Sequence, residues 1–338
     1  MKLRRLPGLP TFLALSLAAL ALAFGCGQAT TSLRAAEPAP GAAATRPPFV
    51  RVIGSVQDGG FPHAACNGLA CRRARENGSH RYVASLALIL PESEKIYFFD
   101  ATPDIREQLE AVADAREPRP DGVDRAPIDG VFLSHAHMGH YLGLAFFGYE
   151  AVHTRELLVY ATPRMAAFLR DNGPWSQLVE KKNVSLREVG PGSTVNLEDG
   201  VSVTLVPSPH REEYTDTVGF LIRGPERALL FVPDTDSWQR WSPSIEDWLE
   251  QVDVALLDGT FYSGDELPNR AIEEIGHPLV ANSMDRFEKL GQAAPTAPEI
   301  LFIHMNHSNP LLLAASPELA ALERRGFKIA AEGMEFDL

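Results

Sequence analysis

The run His135-Ala136-His137-Met138-Gly139-His140 follows directly on the apolar stretch Val131-Phe132-Leu133-Ser134, and it restricts the chain to folds that can gather imidazoles at one edge of a sheet. Side chains two apart on an extended segment share a face, so His135 and His137 can offer their rings to one cation. His140, on the turn beyond, addresses a neighbouring position. Imidazole is a favoured ligand of zinc-like metals, and three histidines at this spacing read as a metal site rather than a polar loop. The same placement recurs along the chain. Asp100 ends the apolar run 96–99, His210 follows 204–206, Asp234 follows 229–233, and His304 ends 300–303. Five strand ends carrying His or Asp can converge on one rim.

Extended runs alternate with turn signals at 50–55, 83–90, 95–100, 130–134, 157–161, 201–206, 218–223, 228–233, 252–258 and 299–304. Between them lie helix starts with a hydroxyl N-cap and a proline whose missing N–H costs nothing there: Thr102-Pro103-Asp104, Thr162-Pro163 and Ser316-Pro317-Glu318. A fourth helix is expected over 278–290, with Leu279, Met284 and Phe287 on its apolar face. This mixture fits two packed sheets with helices outside.

Lys2, Arg4 and Arg5 precede an apolar stretch over 12–24, then Gly25-Cys26, the layout of a secretory signal too short for a comfortable membrane span. Ala23-Phe24-Gly25-Cys26 resembles a bacterial lipoprotein processing box, so residues 1–25 are expected to be a signal peptide and Cys26 a lipid site. Residues 26–48, rich in Ala, Thr and Pro, carry too few bulky apolar groups to offset the entropy of ordering and are expected to be a flexible tether. That leaves 49–338 as one α/β domain. The location expected is the periplasm or cell envelope, with the membrane met through the lipid alone. The net charge of −13, which becomes −16 without Lys2, Arg4 and Arg5, argues against nucleic acid, whose phosphates need a basic surface. A small-molecule substrate is the partner expected. Cys66 and Cys71 could close a small disulfide loop, stay free, or join His63 around a structural metal.

The order of strand-end Asp, His-x-His-x-x-His, distant His, strand-end Asp and late strand-end His resembles the metallo-β-lactamase superfamily. Within it, the opening Val52-Ile53-Gly54-Ser55-Val56-Gln57-Asp58-Gly59-Gly60-Phe61-Pro62 and the ending His304-Met305-Asn306-His307-Ser308-Asn309-Pro310 are similar to the pyrroloquinoline quinone biosynthesis protein B group. The resemblance implies a four-layer αββα sandwich with one or two metals at its rim. It places His135, His137 and His210 in a first site and His140, Asp234 and His304 in a second, Asp234 bridging, with Asp100 orienting a ligating imidazole. Zinc is the metal expected, with iron or manganese as alternatives. His307 competes with His304 for the last position. Where the superfamily has an Asp between the second and third histidines, this chain has Gly139, so the second site is expected to bind more weakly and Gly139→Asp to strengthen it.

Three imidazoles that leave an open position on the metal make hydrolysis the default chemistry, a metal-bound hydroxide attacking an ester, phosphodiester, lactone, thioester or amide. Asp234 would orient the nucleophile or take its proton, and His307 or His277 would stabilise the leaving side. The alternatives are an iron-dependent hydroxylase related to quinone-cofactor biosynthesis and a non-catalytic metal-binding envelope protein, the latter favoured by Gly139.

Overall fold

The computed structural model describes residues 46–116, 121–267, 276–290 and 297–338. The expected signal, the Cys26 lipid site and the tether as far as residue 45 lie outside the described residues. Seven strands open the chain: β1 (Phe49–Gly54), β2 (Ser85–Leu90), β3 (Lys95–Phe99), β4 (Gly130–Phe132), β5 (Leu157–Ala161), β6 (Val184–Glu188) and β7 (Thr194–Asn196). They are followed by β8 (Ser202–Pro207), β9 (Val218–Arg223), β10 (Ala228–Val232), β11 (Val254–Asp258), β12 (Glu299–Ile303), β13 (Lys328–Ile329) and β14 (Glu335–Asp337). The helices are α1 (Leu69–Asn77), α2 (Ile105–Glu110), α3 (Met138–Tyr141), α4 (Pro163–Asp171), α5 (Trp175–Glu180), α6 (Ile245–Leu249), α7 (Val280–Phe287) and α8 (Pro317–Arg324).

Two seven-stranded sheets result, ordered β14-β1-β2-β3-β4-β5-β6 and β13-β12-β11-β10-β9-β8-β7. Most of the central strands are apolar at every position because both of their faces are covered. In β3, Tyr97 and Phe99 point between the sheets while Ile96 and Phe98 meet the outer helices. In β10, Leu229 and Phe231 point inward while Leu230 and Val232 point outward. Phe99, Phe132, Phe220 and Phe231 fill the middle of the sandwich, and truncating any one to Ala should cost about 3–5 kcal/mol. One outer layer puts Ile105, Met165, Leu169 and Leu178 of α2, α4 and α5 on the first sheet. The other puts Ile245, Val280, Met284, Phe287 and Leu322 of α6, α7 and α8 on the second. The layering is the αββα order expected from the sequence.

Strand direction is what builds the rim. β3, β4 and β5 run parallel, and β1, antiparallel to β2, which is antiparallel to β3, shares their direction. In the second sheet β10, β11 and β12 are parallel, and β8 joins them through the antiparallel β9. Within each sheet these strands therefore end on one edge, the usual place for function in sheets of this kind.

Some local expectations are corrected. The helix after Thr102 begins only at Ile105, because Asp104 turns its carboxylate to the Val83 N–H, 2.8 Å away, instead of capping. The helix expected over 278–290 begins at Val280 and closes in a 3-10 turn. Thr162 and Ser316 do cap, accepting from the N–H groups of Met165 and Leu319. Of the alternatives left open for Cys66 and Cys71, the free thiols are the one found: Cys71 is buried on α1 among Val56, Phe61 and Ala74, and burial pushes its thiol upward. Arg46, inside the stretch expected to be a tether, pairs with Glu335 and Asp337 at 2.7 Å each. Among the described residues no helix is long and apolar enough to cross a membrane.

Candidate metal centre

Each histidine of the centre is placed by a strand end or by the turn just after it. The backbone leaves β4 through Ser134, whose N–H and hydroxyl both donate to Asp100. The Ala136 N–H then donates to the Thr215 hydroxyl, and α3 starts with His137 at its N-cap. His140, on α3, returns its carbonyl to the Ala101 N–H and so ties the motif to the end of β3. Asp100 and His304, which end β3 and β12, both adopt left-handed backbone angles, φ 69° and 65°. Such angles in side chains other than glycine store strain and concentrate at functional sites.

Two clusters of ligand atoms form. In the first, His135 Nε2 lies 2.8 Å from His137 Nδ1, which lies 3.2 Å from His210 Nε2. The Asp234 carboxylate closes it, 3.5 Å from His135 Nε2 and 3.3 Å from His210 Nε2. In the second, Asp58 Oδ1 stands 3.6 Å from His140 Nε2 and 3.4 Å from His304 Nε2. Asp234 Oδ2 is 3.7 Å and 4.0 Å from the same two nitrogens, so one carboxylate reaches both clusters. Tetrahedral bonds of about 2.0–2.1 Å separate ligand atoms by about 3.3 Å, close to most of these spacings.

The remaining ring nitrogens show the same purpose. His135 Nδ1 meets the Ser134 hydroxyl at 3.0 Å, His210 Nδ1 meets Asp236 at 2.8 Å, and His140 Nδ1 meets Asp100 at 2.6 Å. His304 Nδ1 meets the Thr260 hydroxyl at 2.9 Å, and His137 Nε2 meets the exposed Glu213 at 3.0 Å. Partners of this kind fix the ring orientation of metal-binding histidines. The inward atoms have no such satisfaction. His140 Nε2, His304 Nε2 and Asp58 Oδ1 are buried without a hydrogen-bond partner, an arrangement costly for a protein unless a cation takes the electron pairs. The donor set fits a divalent metal in both clusters.

At the first cluster the electrostatics agree. Burial, together with the charge of His140, holds His135 well below the ordinary histidine range, the state in which its electron pair is free for a metal. Burial works against the charge on Asp234 as well, but His210, His277 and His304 outweigh it and hold the carboxyl well below its usual range. At His140 burial is outweighed by Asp100, Asp58 and Asp234, which raise it to about 9.

A third group flanks the first two. His277 Nδ1 sits 2.9 Å from Asp258 and 3.3 Å from Asp234. Asp258, fully buried at the end of β11, also accepts from the Thr235 and Thr260 N–H groups. Burial would lower His277, but Asp258 and Asp234 prevail and raise it to about 9.

All six expected metal residues, His135, His137, His140, His210, Asp234 and His304, are thus brought together, and Asp100 orients His140 as the resemblance implied. His277 joins them. His307 does not: its ring packs against His63 with centroids 4.1 Å apart, and among the described residues it belongs to none of the three groups. The expectation that Gly139 leaves the second cluster with Asp234 as its sole carboxylate is corrected by Asp58. Asp58, in the turn-like run Gln57-Asp58-Gly59-Gly60, carries no strand-end signal, while Asp258, ending an apolar strand as Asp100 ends one, does.

Residues 96–305 match the beta-lactamase superfamily domain. Coenzyme PQQ synthesis protein B of Methylococcus capsulatus is 30% identical over 316 residues, covering 86% of this chain and 100% of that protein. The protein of the same name from Cupriavidus necator is 31% identical over 319 residues, covering 86% and 99%. The crystal structure of zinc-bound PqqB from Methylobacterium extorquens aligns with a TM-score of 0.71 at 25% identity, covering 86% of this chain and 100% of that one. With five strand-end residues and the histidine motif meeting at one rim of an αββα sandwich, the chain belongs to the metallo-β-lactamase superfamily, in the company of the coenzyme PQQ synthesis B proteins.

Proposed function

We propose that this chain is an exported metal-dependent hydrolase acting on a small molecule through an ester, phosphodiester, lactone, thioester or amide bond. The observation that carries the reading is the convergence of His135, His140, His210 and His304 on the two oxygens of Asp234, with His277 beside them. A bound metal supplies Lewis acidity and lowers the pKa of water from about 16 toward about 7. Asp234, in reach of both clusters, orients the attacking water. His277 donates its Nδ1 proton to Asp258 in a hydrogen bond, which fixes the ring and leaves Nε2 to protonate the departing atom. A group raised to about 9 is in its acid form at neutral pH, as this task requires. Zinc is the favoured metal, since histidine nitrogens dominate the donor set.

A second reading, an iron-dependent hydroxylase, draws on the kinship with proteins named for coenzyme PQQ synthesis, and the same histidine and carboxylate donors accept iron. The non-catalytic reading has lost its main ground, because Asp58 stands where Gly139 left a gap. Anaerobic reconstitution of the apoprotein with zinc or with iron, followed by chromogenic ester, phosphodiester and lactone substrates, separates these cases. Turnover with zinc is expected; inactivity with zinc and oxygen consumption with iron would replace hydrolysis by the second reading. Export and lipidation rest on the layout of residues 1–26, and Cys26→Ser should abolish lipid attachment and release a soluble protein.

A further inference from the structure

Gly139 and Asp58 occupy one volume. A Cβ built on Gly139 would stand 2.2 Å from Asp58 Oδ1, 2.6 Å from its Cγ and 3.0 Å from its Cα, so a side chain at 139 and a carboxylate from 58 exclude each other. The loop that delivers Asp58 is held from both sheets. Val56, just past β1, bridges to Val83, just before β2 of the first sheet, and to Met305, just beyond β12 of the second. The Met305 N–H donates to the Ser55 carbonyl at 3.2 Å, and the Gln57 N–H donates to the Met305 carbonyl at 3.0 Å. The Gln57 side chain also accepts from Asn306. Asp58 therefore enters the rim next to His304, its neighbour in the second cluster, on backbone registered to that histidine.

We propose that Asp58 is the anionic ligand of the second metal, its carboxylate taken from the β1 loop instead of from position 139, and that glycine at 139 is the space this relocation requires. The inference rests on the reading of the rim as a metal centre. It reverses what the sequence alone suggests: the second site is complete in the natural chain, and Gly139→Asp damages it. The buried, unpartnered atoms Asp58 Oδ1, His140 Nε2 and His304 Nε2 are the three first-coordination donors, and Asp234 Oδ2 is the fourth.

Calorimetric titration of the full-length apoprotein with zinc, paired with metal analysis of the dialysed protein, tests the assignment. Two zinc ions per chain are expected for the natural protein. Asp58→Asn, close in shape but uncharged, should keep the first ion within about twofold and weaken the second by about tenfold or more. Asp58→Ala serves as a second variant, and the thermal unfolding of each apo variant shows that it is folded. Gly139→Asp should also weaken the second ion by about tenfold or more, because the two carboxylates collide. One ion in the natural protein, unchanged binding of both in Asp58→Asn and Asp58→Ala, or tighter second binding in Gly139→Asp would each overturn the proposal. Two ions bound through Asp58 without any hydrolysis would defeat the proposed function alone; hydrolysis with a single ion would defeat this inference alone.

Discussion

The two halves of the candidate metal centre are built by different means. His135, His137 and His210 lie just past the ends of β4 and β8, strands whose direction carries them to the rim. His140 and His304 need help from outside that scheme: a helical turn carries one, a left-handed strand end carries the other, and Asp58 arrives on a loop four residues beyond β1. A half-site made from strand ends is written into local sequence, whereas one completed by a loop depends on which distant backbone lies alongside. The outer partners differ in the same sense. His140 leans on the fully buried Asp100, His137 on the exposed Glu213.

The largest effect expected is at the strand-end half. His135→Ala or His210→Ala leaves two imidazoles there and should lower metal affinity by more than about a hundredfold, with hydrolysis lost alongside. Metal analysis and rate measurements on both variants decide it, and wild-type metal content in both would break the comparison at its root. Next is His277→Ala, which should reduce kcat by about 10²- to 10⁴-fold while metal content stays at the natural level, since the ring acts on the leaving group. Asp258→Asn should reproduce part of that loss by freeing the ring.

The buried and exposed partners set the third expectation. Asp100→Asn should weaken metal binding at the half-site of His140 by about 10- to 100-fold, but Glu213→Gln by only about threefold or less, because an exposed carboxylate is screened by water. Equal losses in the two variants, read by competition with a chromogenic chelator, would erase the distinction.

Much of the fold was legible because the strands carry their own signature. Runs such as Ala228-Leu229-Leu230-Phe231-Val232 are apolar throughout, as strands covered on both faces must be, and the residue after each run is where a parallel strand reaches the rim. His135, His210, Asp234 and His304 were found that way. Asp58 was not, because Gln57-Asp58-Gly59-Gly60 has the composition of any tight turn, and its role follows from the bridge of Val56 to Met305, residues 249 positions apart in sequence. The short helix α6 carries a local signal of its own, the capping box in which Ser244 and Asp247 satisfy each other's backbone N–H.

The smallest effect bears on the turn beside the loop-completed half. Burial raises Glu266 from 4.5 to about 7, although its carboxylate accepts from the Tyr262 and Ser263 N–H groups. A carboxyl raised on folding stabilises the protein fully below its ordinary value of 4.5, and that contribution is lost as pH climbs through about 7. Glu266→Gln should flatten the decline of Tm across this interval by about 1–2 °C, a small change because the group remains partly exposed to solvent. An identical slope in the variant would remove Glu266 from the account.

Anomalous X-ray diffraction from crystals grown with zinc tests most directly whether one rim holds two metals by two kinds of construction. Data on either side of the zinc absorption edge should show two peaks, one among His135, His137 and His210 and one among Asp58, His140 and His304, each in contact with Asp234. A single peak at the first cluster with Asp58 turned away, or zinc bound only elsewhere in the molecule, would contradict the account.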